Sequence, residues 1–220
     1  MGINQTGNHV VLLGDSIFDN ATYVPGERPV IDQLRQNLPK DWQATLAAVD
    51  GDTTPGLFDQ TQRLPPSATH LIISSGGNDA LQQLERLNLP VDSMRSALTR
   101  LADIHEAFET NYRAMLEHMQ SLGKHVAVCT IYESIPGLER YLRSTLSLFN
   151  DVILREAIRA RIPVIDLRHI CTLPSDYSSL SPIEPSSVGG MKIAKAIAAL
   201  LVNHDFNVQG TLIITGGVNP

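Results

Sequence analysis

Short apolar runs alternate along this chain with longer segments whose apolar positions recur every three or four residues. The runs fall at 10–13, 44–49, 70–74, 125–131 and 163–167. Each is nearly continuous rather than alternating, as expected of strands covered on both faces. Between them, Met94, Leu98, Leu101, Phe108, Tyr112, Met115, Met119 and Leu122 form one stripe on a long helix, which Gly123 terminates. A second stripe, Leu138, Leu142, Leu146, Phe149, Ile153, Ala157 and Ala160, predicts a helix ending before Ile162-Pro163. A third helix is predicted from about Ser187 to Asn203, and a shorter one around 30–38. Strand and helix in alternation imply an α/β fold, a parallel sheet with helices on both faces.

Parallel strands joined by right-handed crossovers place every strand-to-helix loop on one edge of the sheet, where ligands bind. The loops after Leu13, Val49, Ser74, Ile131 and Leu167 are therefore expected to meet. The tail after His204 contains Thr211-Leu212-Ile213-Ile214-Thr215, which can add an edge strand or pack against a partner.

Composition narrows the function classes. The 220 residues suit one domain, 1–220, with 205–220 as a C-terminal extension. A hydrophobic share of 43% against 18% charged residues predicts a sizeable core rather than disorder. Formal charge is −6 with no basic cluster, which argues against nucleic acid as a partner. Cys129 and Cys171 lack metal-ligand spacing and read as buried thiols, and no metal or cofactor is expected. The first residues, Met1 to Thr6, lack a positive n-region and an apolar h-region. No apolar stretch reaches membrane-spanning length, so a cytoplasmic location is expected.

Three loops on the expected edge carry candidate chemistry. The first, Gly14-Asp15-Ser16-Ile17, delivers a serine from a strand into a helical turn, where amide donors favour an alkoxide. The alternative is that Asp15 or Ser16 caps a helix. The second, Asp50-Gly51-Asp52, offers an unhindered glycine amide, or is a plain turn. In the third, Gly76-Gly77-Asn78-Asp79, the Asn78 amide can serve as an oxyanion donor, or Asn78 and Asp79 can cap the next helix.

Taken in order, these blocks resemble those of the SGNH/GDSL hydrolases, the GDSL lipases and esterases. Gly14-Asp15-Ser16-Ile17 matches the first block, Gly51 the second and Gly76-Gly77-Asn78-Asp79 the third. Glu184-Pro185-Ser186-Ser187-Val188-Gly189 aligns with the fourth, where the family carries His-Pro-Ser-x-x-Gly. The resemblance implies a flavodoxin-like three-layer α/β/α sandwich with a five-stranded parallel sheet. It also implies a serine ester hydrolase working through a seryl-acyl intermediate on a small-molecule ester or acylated substrate. Ser16 would be the nucleophile, and the oxyanion hole would comprise the Ser16 and Gly51 N–H groups with the Asn78 side chain.

The chain departs from the family at the base. The family's aspartate and histidine map onto Ser181 and Glu184. A carboxylate with an ordinary pKa lies about two units below histidine, a deficit of roughly 3 kcal/mol in proton-transfer driving force. Burial beside apolar residues can recover part of that. Glu184 can equally serve the dipole of the C-terminal helix. Among the seven histidines, only His169 falls on the correct edge, with Asp176 in the same loop as a possible supporting carboxylate. Asp15 and Ser181 are further candidates for support. The competing readings are a non-catalytic protein that binds an ester, glycan or acylated ligand in the same cleft, and a nucleotide or phosphate binder. The second requires a metal to offset Asp15, Asp19, Asp50 and Asp52.

Overall fold

The computed structural model describes residues 7–208 and 210–216. The N-terminal segment read above lies outside these residues. Six strands, β1 (His9–Gly14), β2 (Gln43–Leu46), β3 (His70–Ser74), β4 (His125–Cys129), β5 (Val164–Ile165) and β6 (Ile213–Ile214), form one sheet. Its order is β2-β1-β3-β4-β5-β6, with all pairs parallel. The expected count of five is thus one short. Ile213 and Ile214 of the tail pair with Val164 and Ile165 at the sheet edge. A two-residue edge strand with one exposed face carries too little periodicity to be decisive in sequence.

The central strands are apolar because both faces are covered: Val10 to Leu13 and Leu71 to Ile73 are fully buried. Eight α-helices are present among the described residues. They are α1 (Val30–Asn37), α2 (Leu57–Thr61), α3 (Gly77–Leu81), α4 (Leu84–Asn88), α5 (Met94–Ser121), α6 (Arg140–Ala160), α7 (Leu167–Ile170) and α8 (Ser187–Asn203). The principal helix pairs are α1 with α8 and α5 with α6. Ser93 starts α5 by accepting the Ser96 N–H, and Ser186 starts α8 by accepting from Val188 and Gly189.

The apolar stripe of α5 is only partly a core stripe. Phe108, Tyr112, Met115 and Met119 are buried, whereas Met94 and Leu98 are 76% and 58% exposed. The start of this helix is held instead through Arg100, which donates to the Arg86, Leu89 and Pro90 carbonyls.

Two buried amides finish the sheet where its ladder stops. Gln60 on α2 accepts the Gly14 N–H at 2.8 Å and donates to the Gly14 carbonyl at 2.7 Å. Asn150 on α6 does the same for Ile131 just beyond β4, at 2.8 Å in each direction. Both side chains are fully buried; removing Asn150 strands both Ile131 backbone groups, and removing Gln60 strands the Gly14 N–H, the Gly14 carbonyl keeping the Val49 N–H at 3.0 Å. Gln60→Leu is expected to destabilise the fold by about 1–3 kcal/mol. The check is a lower urea midpoint at unchanged denaturant slope; an unshifted midpoint would remove Gln60 from this role.

The sheet reverses its direction of growth at β1, which has β2 on one side and β3 on the other. Such a switch point opens a crevice between adjacent loops at the carboxyl edge. Ser16 follows β1 and Asn78 follows β3, so both lie at that crevice. His9, His70 and His125 begin β1, β3 and β4 at the opposite edge. There His70 packs against Trp42 and His125 and meets Phe206 edge-on, and burial pulls its pKa down to about 4.

Candidate active site

The serine loop is built by close backbone approach. Gly14 adopts φ +126°, and a Cβ there would stand 1.7 Å from the Ser74 carbonyl oxygen, so β1 can lie beside β3 only with glycine at this point. The chain then turns helically, with Phe18 and Asp19 both donating to the Asp15 carbonyl at 3.1 Å. This turn holds Ser16 7% exposed at the crevice.

Glu184 reaches the same place on a backbone frame. Its N–H donates to the Ser181 carbonyl at 3.0 Å, and its own carbonyl accepts the Ser178 N–H at 2.8 Å. Ser186 donates to the Asp176 carbonyl, and Tyr177 and Pro185 form an antiparallel bridge. Asn20, fully buried, ties this frame to the serine loop by donating to the Pro185 carbonyl at 3.1 Å. Its Oδ1 accepts the Val30 N–H at the start of α1. Ser16 and Glu184 line the same cavity, and the Ser16 hydroxyl is among the groups that act on the Glu184 carboxyl.

The electrostatics of this pair are set by burial. Glu184 is 4% exposed, and its Oε2 finds no hydrogen-bond partner among the described residues. Desolvation, opposed by the Ser16 hydroxyl and reinforced by the charge of Asp50, pushes its pKa up to about 7. Asp15 is pushed further, to about 8, chiefly by burial and then by the negative charges of Glu184 and Asp79; the Ile17 N–H donated to its Oδ1 offsets part of this. Asp79 is also raised by burial while accepting the Thr54 N–H and hydroxyl. Burial thus disfavours the charged form of all three carboxyls, and at about 8 Asp15 is mainly protonated at neutral pH.

The expected oxyanion donors are placed by the neighbouring loops. Gly51 is exposed in the 49–52 turn with φ +84°, a conformation that favours glycine. Its turn is anchored by Asp50, whose N–H donates to Asp19 and whose carboxylate accepts the Tyr23 hydroxyl. Asn78 opens α3 and gives one amide hydrogen to the Asp52 carbonyl at 2.9 Å, joining the second and third loops; the group carries a second hydrogen.

The expected supporting residues are engaged differently. Asp176, fully buried, accepts the Thr172 and Leu173 N–H groups and pairs with Lys192 on α8 at 2.7 Å. This carboxylate is thus a structural ion pair that fastens its loop to α8. The His169 side chain is 65% exposed and lies 4.0 Å from Asp166, a carboxylate already held by Arg168. Ser181 meets Glu184 through its backbone carbonyl.

Beside Ser16, Asn78 and Glu184 lies a cavity of about 180 Å³ whose remaining walls are mostly apolar. Leu84 and Leu87 of α4 line it, with Ile135, Leu138, Leu142 and Leu146 from the start of α6 and the loop before it. The periodicity of Leu138, Leu142 and Leu146 reads as a helix stripe in sequence, and Leu81, Leu84 and Leu87 belong to no predicted stripe. Asn20, Gln60 and Tyr132 also escape sequence reasoning, because their partners are backbone groups of distant segments.

Comparison with known proteins bears on the family and the fold. The family described as GDSL-like lipase/acylhydrolase matches residues 12–186. No curated protein matches the chain. Similar solved structures include an alpha/beta hydrolase enzyme from the metagenome of Lake Arreo, Spain, at 18% identity, TM-score 0.68, covering 90% of this chain and 97% of that one. A lipase from a goat rumen metagenome has 20% identity and TM-score 0.68, covering 87% of this chain and 96% of that one. An acetyl xylan esterase variant from Geobacillus stearothermophilus has 18% identity and TM-score 0.62, covering 87% and 93%. At these identities the likeness establishes the fold.

Proposed function

The chain belongs to the GDSL-like lipase/acylhydrolase family, and on that premise we propose that it is a serine ester hydrolase whose base is Glu184. The observation that carries this reading is that Ser16 and the buried Glu184 face one cavity at the switch-point crevice, with Glu184 raised to about 7. A glutamate at that pKa is as good a proton acceptor as an ordinary histidine, so burial closes the roughly 3 kcal/mol gap between them.

In the first half-reaction Ser16 Oγ attacks the ester carbonyl carbon while its proton passes to Glu184. The carbonyl oxygen takes the negative charge and is met by the N–H groups of Ser16 and Gly51 and by the Asn78 amide. Collapse expels the alkoxide, which recovers the proton from Glu184 and leaves as the alcohol. Water then attacks the acyl-serine with Glu184 again accepting a proton, and the acid departs with Ser16 restored. Asp15, held neutral, spares Glu184 a second full charge close by, which would drive its pKa beyond the useful range.

A fluorophosphonate probe is expected to label the protein at Ser16, and Ser16→Ala to abolish both labelling and cleavage of p-nitrophenyl esters. Undiminished ester cleavage by folded Ser16→Ala would move the nucleophile elsewhere. Binding of an ester that survives Ser16→Ala, in a wild-type protein that turns over none, would instead favour the non-catalytic alternative.

A further inference from the structure

The cavity beside Ser16 bears on which esters enter the site. We infer that it is the acyl pocket and that the protein takes medium-chain fatty acyl esters, of about six to eight carbons, an inference that rests on Ser16 forming the acyl-enzyme.

Three observations lead there. The first is the chemistry of the walls. Thr145 returns its hydroxyl to the Tyr141 carbonyl of its own helix at 3.0 Å, and the Tyr132 hydroxyl is spent on the Ile183 carbonyl at 2.6 Å. The polar atoms that the α6 side brings to this cavity are therefore already satisfied, and the remaining surface there is leucine and isoleucine. A sugar hydroxyl placed against it would lose its water without replacement, whereas an alkyl chain loses nothing.

The second is size. A cavity of about 180 Å³ is somewhat larger than the ~150 Å³ apolar void that holds benzene in a well-studied engineered core. That is room for a chain of six to eight carbons, and far more than an acetyl group fills. Leu84, Leu87, Leu138 and Leu142 are half-buried around it, apolar surface that an alkyl chain would cover.

The third is polarity on the two sides of the reacting pair. Asp50, Tyr23 and Asp19 form an exposed hydrogen-bonded group whose Asp50 charge acts on Glu184, the residue that hands a proton to the leaving alcohol and later activates water. That polar side suits the group that departs and the water that replaces it. The apolar side suits the acyl group, which stays on Ser16 until water releases it.

The test is a p-nitrophenyl ester series from acetate to dodecanoate. Each methylene buried adds about fourfold, so kcat/KM is expected to rise about two hundredfold from acetyl to hexanoyl, and to fall again for chains the cavity cannot hold. Leu142→Trp and, separately, Leu84→Phe fill the space from opposite walls. Each is expected to lower the hexanoyl-to-acetyl ratio of kcat/KM at least tenfold, measured in variants whose circular dichroism and melting match the wild type. A flat or acetyl-favouring profile in an active enzyme overturns the pocket assignment and leaves the hydrolase intact. Failure to cleave any chain length overturns the hydrolase reading. The pocket is then judged by thermal shift on Ser16→Ala: a melting increase with p-nitrophenyl hexanoate but not acetate, lost in Ser16→Ala/Leu142→Trp, sustains it, and no increase ends it.

Discussion

Glu184→Gln is expected to lower kcat/KM for p-nitrophenyl esters by about 10²–10⁴, the range for losing a general base. The amide keeps the size of the side chain and its place beside the Ser16 hydroxyl, but it cannot take a proton. The wild-type profile carries the sharper test. The active form of Glu184 is the ionised one, so activity should rise as pH increases through about 7 and be lost below it. A solvated glutamate would place that limb near 4.3. In Glu184→Gln the limb at 7 should vanish along with the rate. A variant within tenfold of wild type, or one that keeps the limb, would remove Glu184 as the base.

Asp15→Asn is expected to stabilise the protein at neutral and mildly alkaline pH. The carboxyl is raised from 3.8 to about 8 on folding, so between these values the native state holds a proton that the unfolded chain has released. Stability therefore falls as pH rises through this window, by about 1.4 kcal/mol per pH unit for one such group. From pH 5 to pH 7 Asp15 alone removes roughly 3 kcal/mol, and Glu184, raised from 4.5 to about 7, adds to the same slope. Asparagine is the neutral image of the protonated acid, with an oxygen still available for the Ile17 N–H. Urea unfolding at pH 5 and pH 8 should show a steep loss in the wild type and a shallower one in the variant. Parallel losses in both proteins would mean that Asp15 is ionised in the native state.

The sheet and the long helices were legible because burial on both faces leaves continuous apolar runs, and burial on one face leaves a stripe. The spacing of Val188, Met191, Ala194, Ile197 and Leu201 likewise made α8 readable from Ser187 to Asn203. Strand β6 was legible only as a possibility, since two residues define no period. The expected loops after β1, β2 and β3 are joined in the fold by the Asp50–Asp19 and Asn78–Asp52 hydrogen bonds. What sequence did not disclose was which polar groups were already spoken for. Asp176 looked available and is held by Lys192, while Glu184 looked poorly suited as a base until its burial was known. The acyl cavity was hidden for the related reason that a leucine facing a void and a leucine facing another leucine have the same spacing.

The frame that delivers residue 184 is made of peptide groups: Ser178 and Ser181 hold it from the chain side, Asn20 and Tyr132 hold its neighbours, and Tyr177 bridges to Pro185. None of these bonds passes through the Glu184 carboxyl. The socket is thus specified separately from the plug. The side chain at this point of the fold can change by a single codon while the backbone that carries it to the crevice beside Ser16 stays in place.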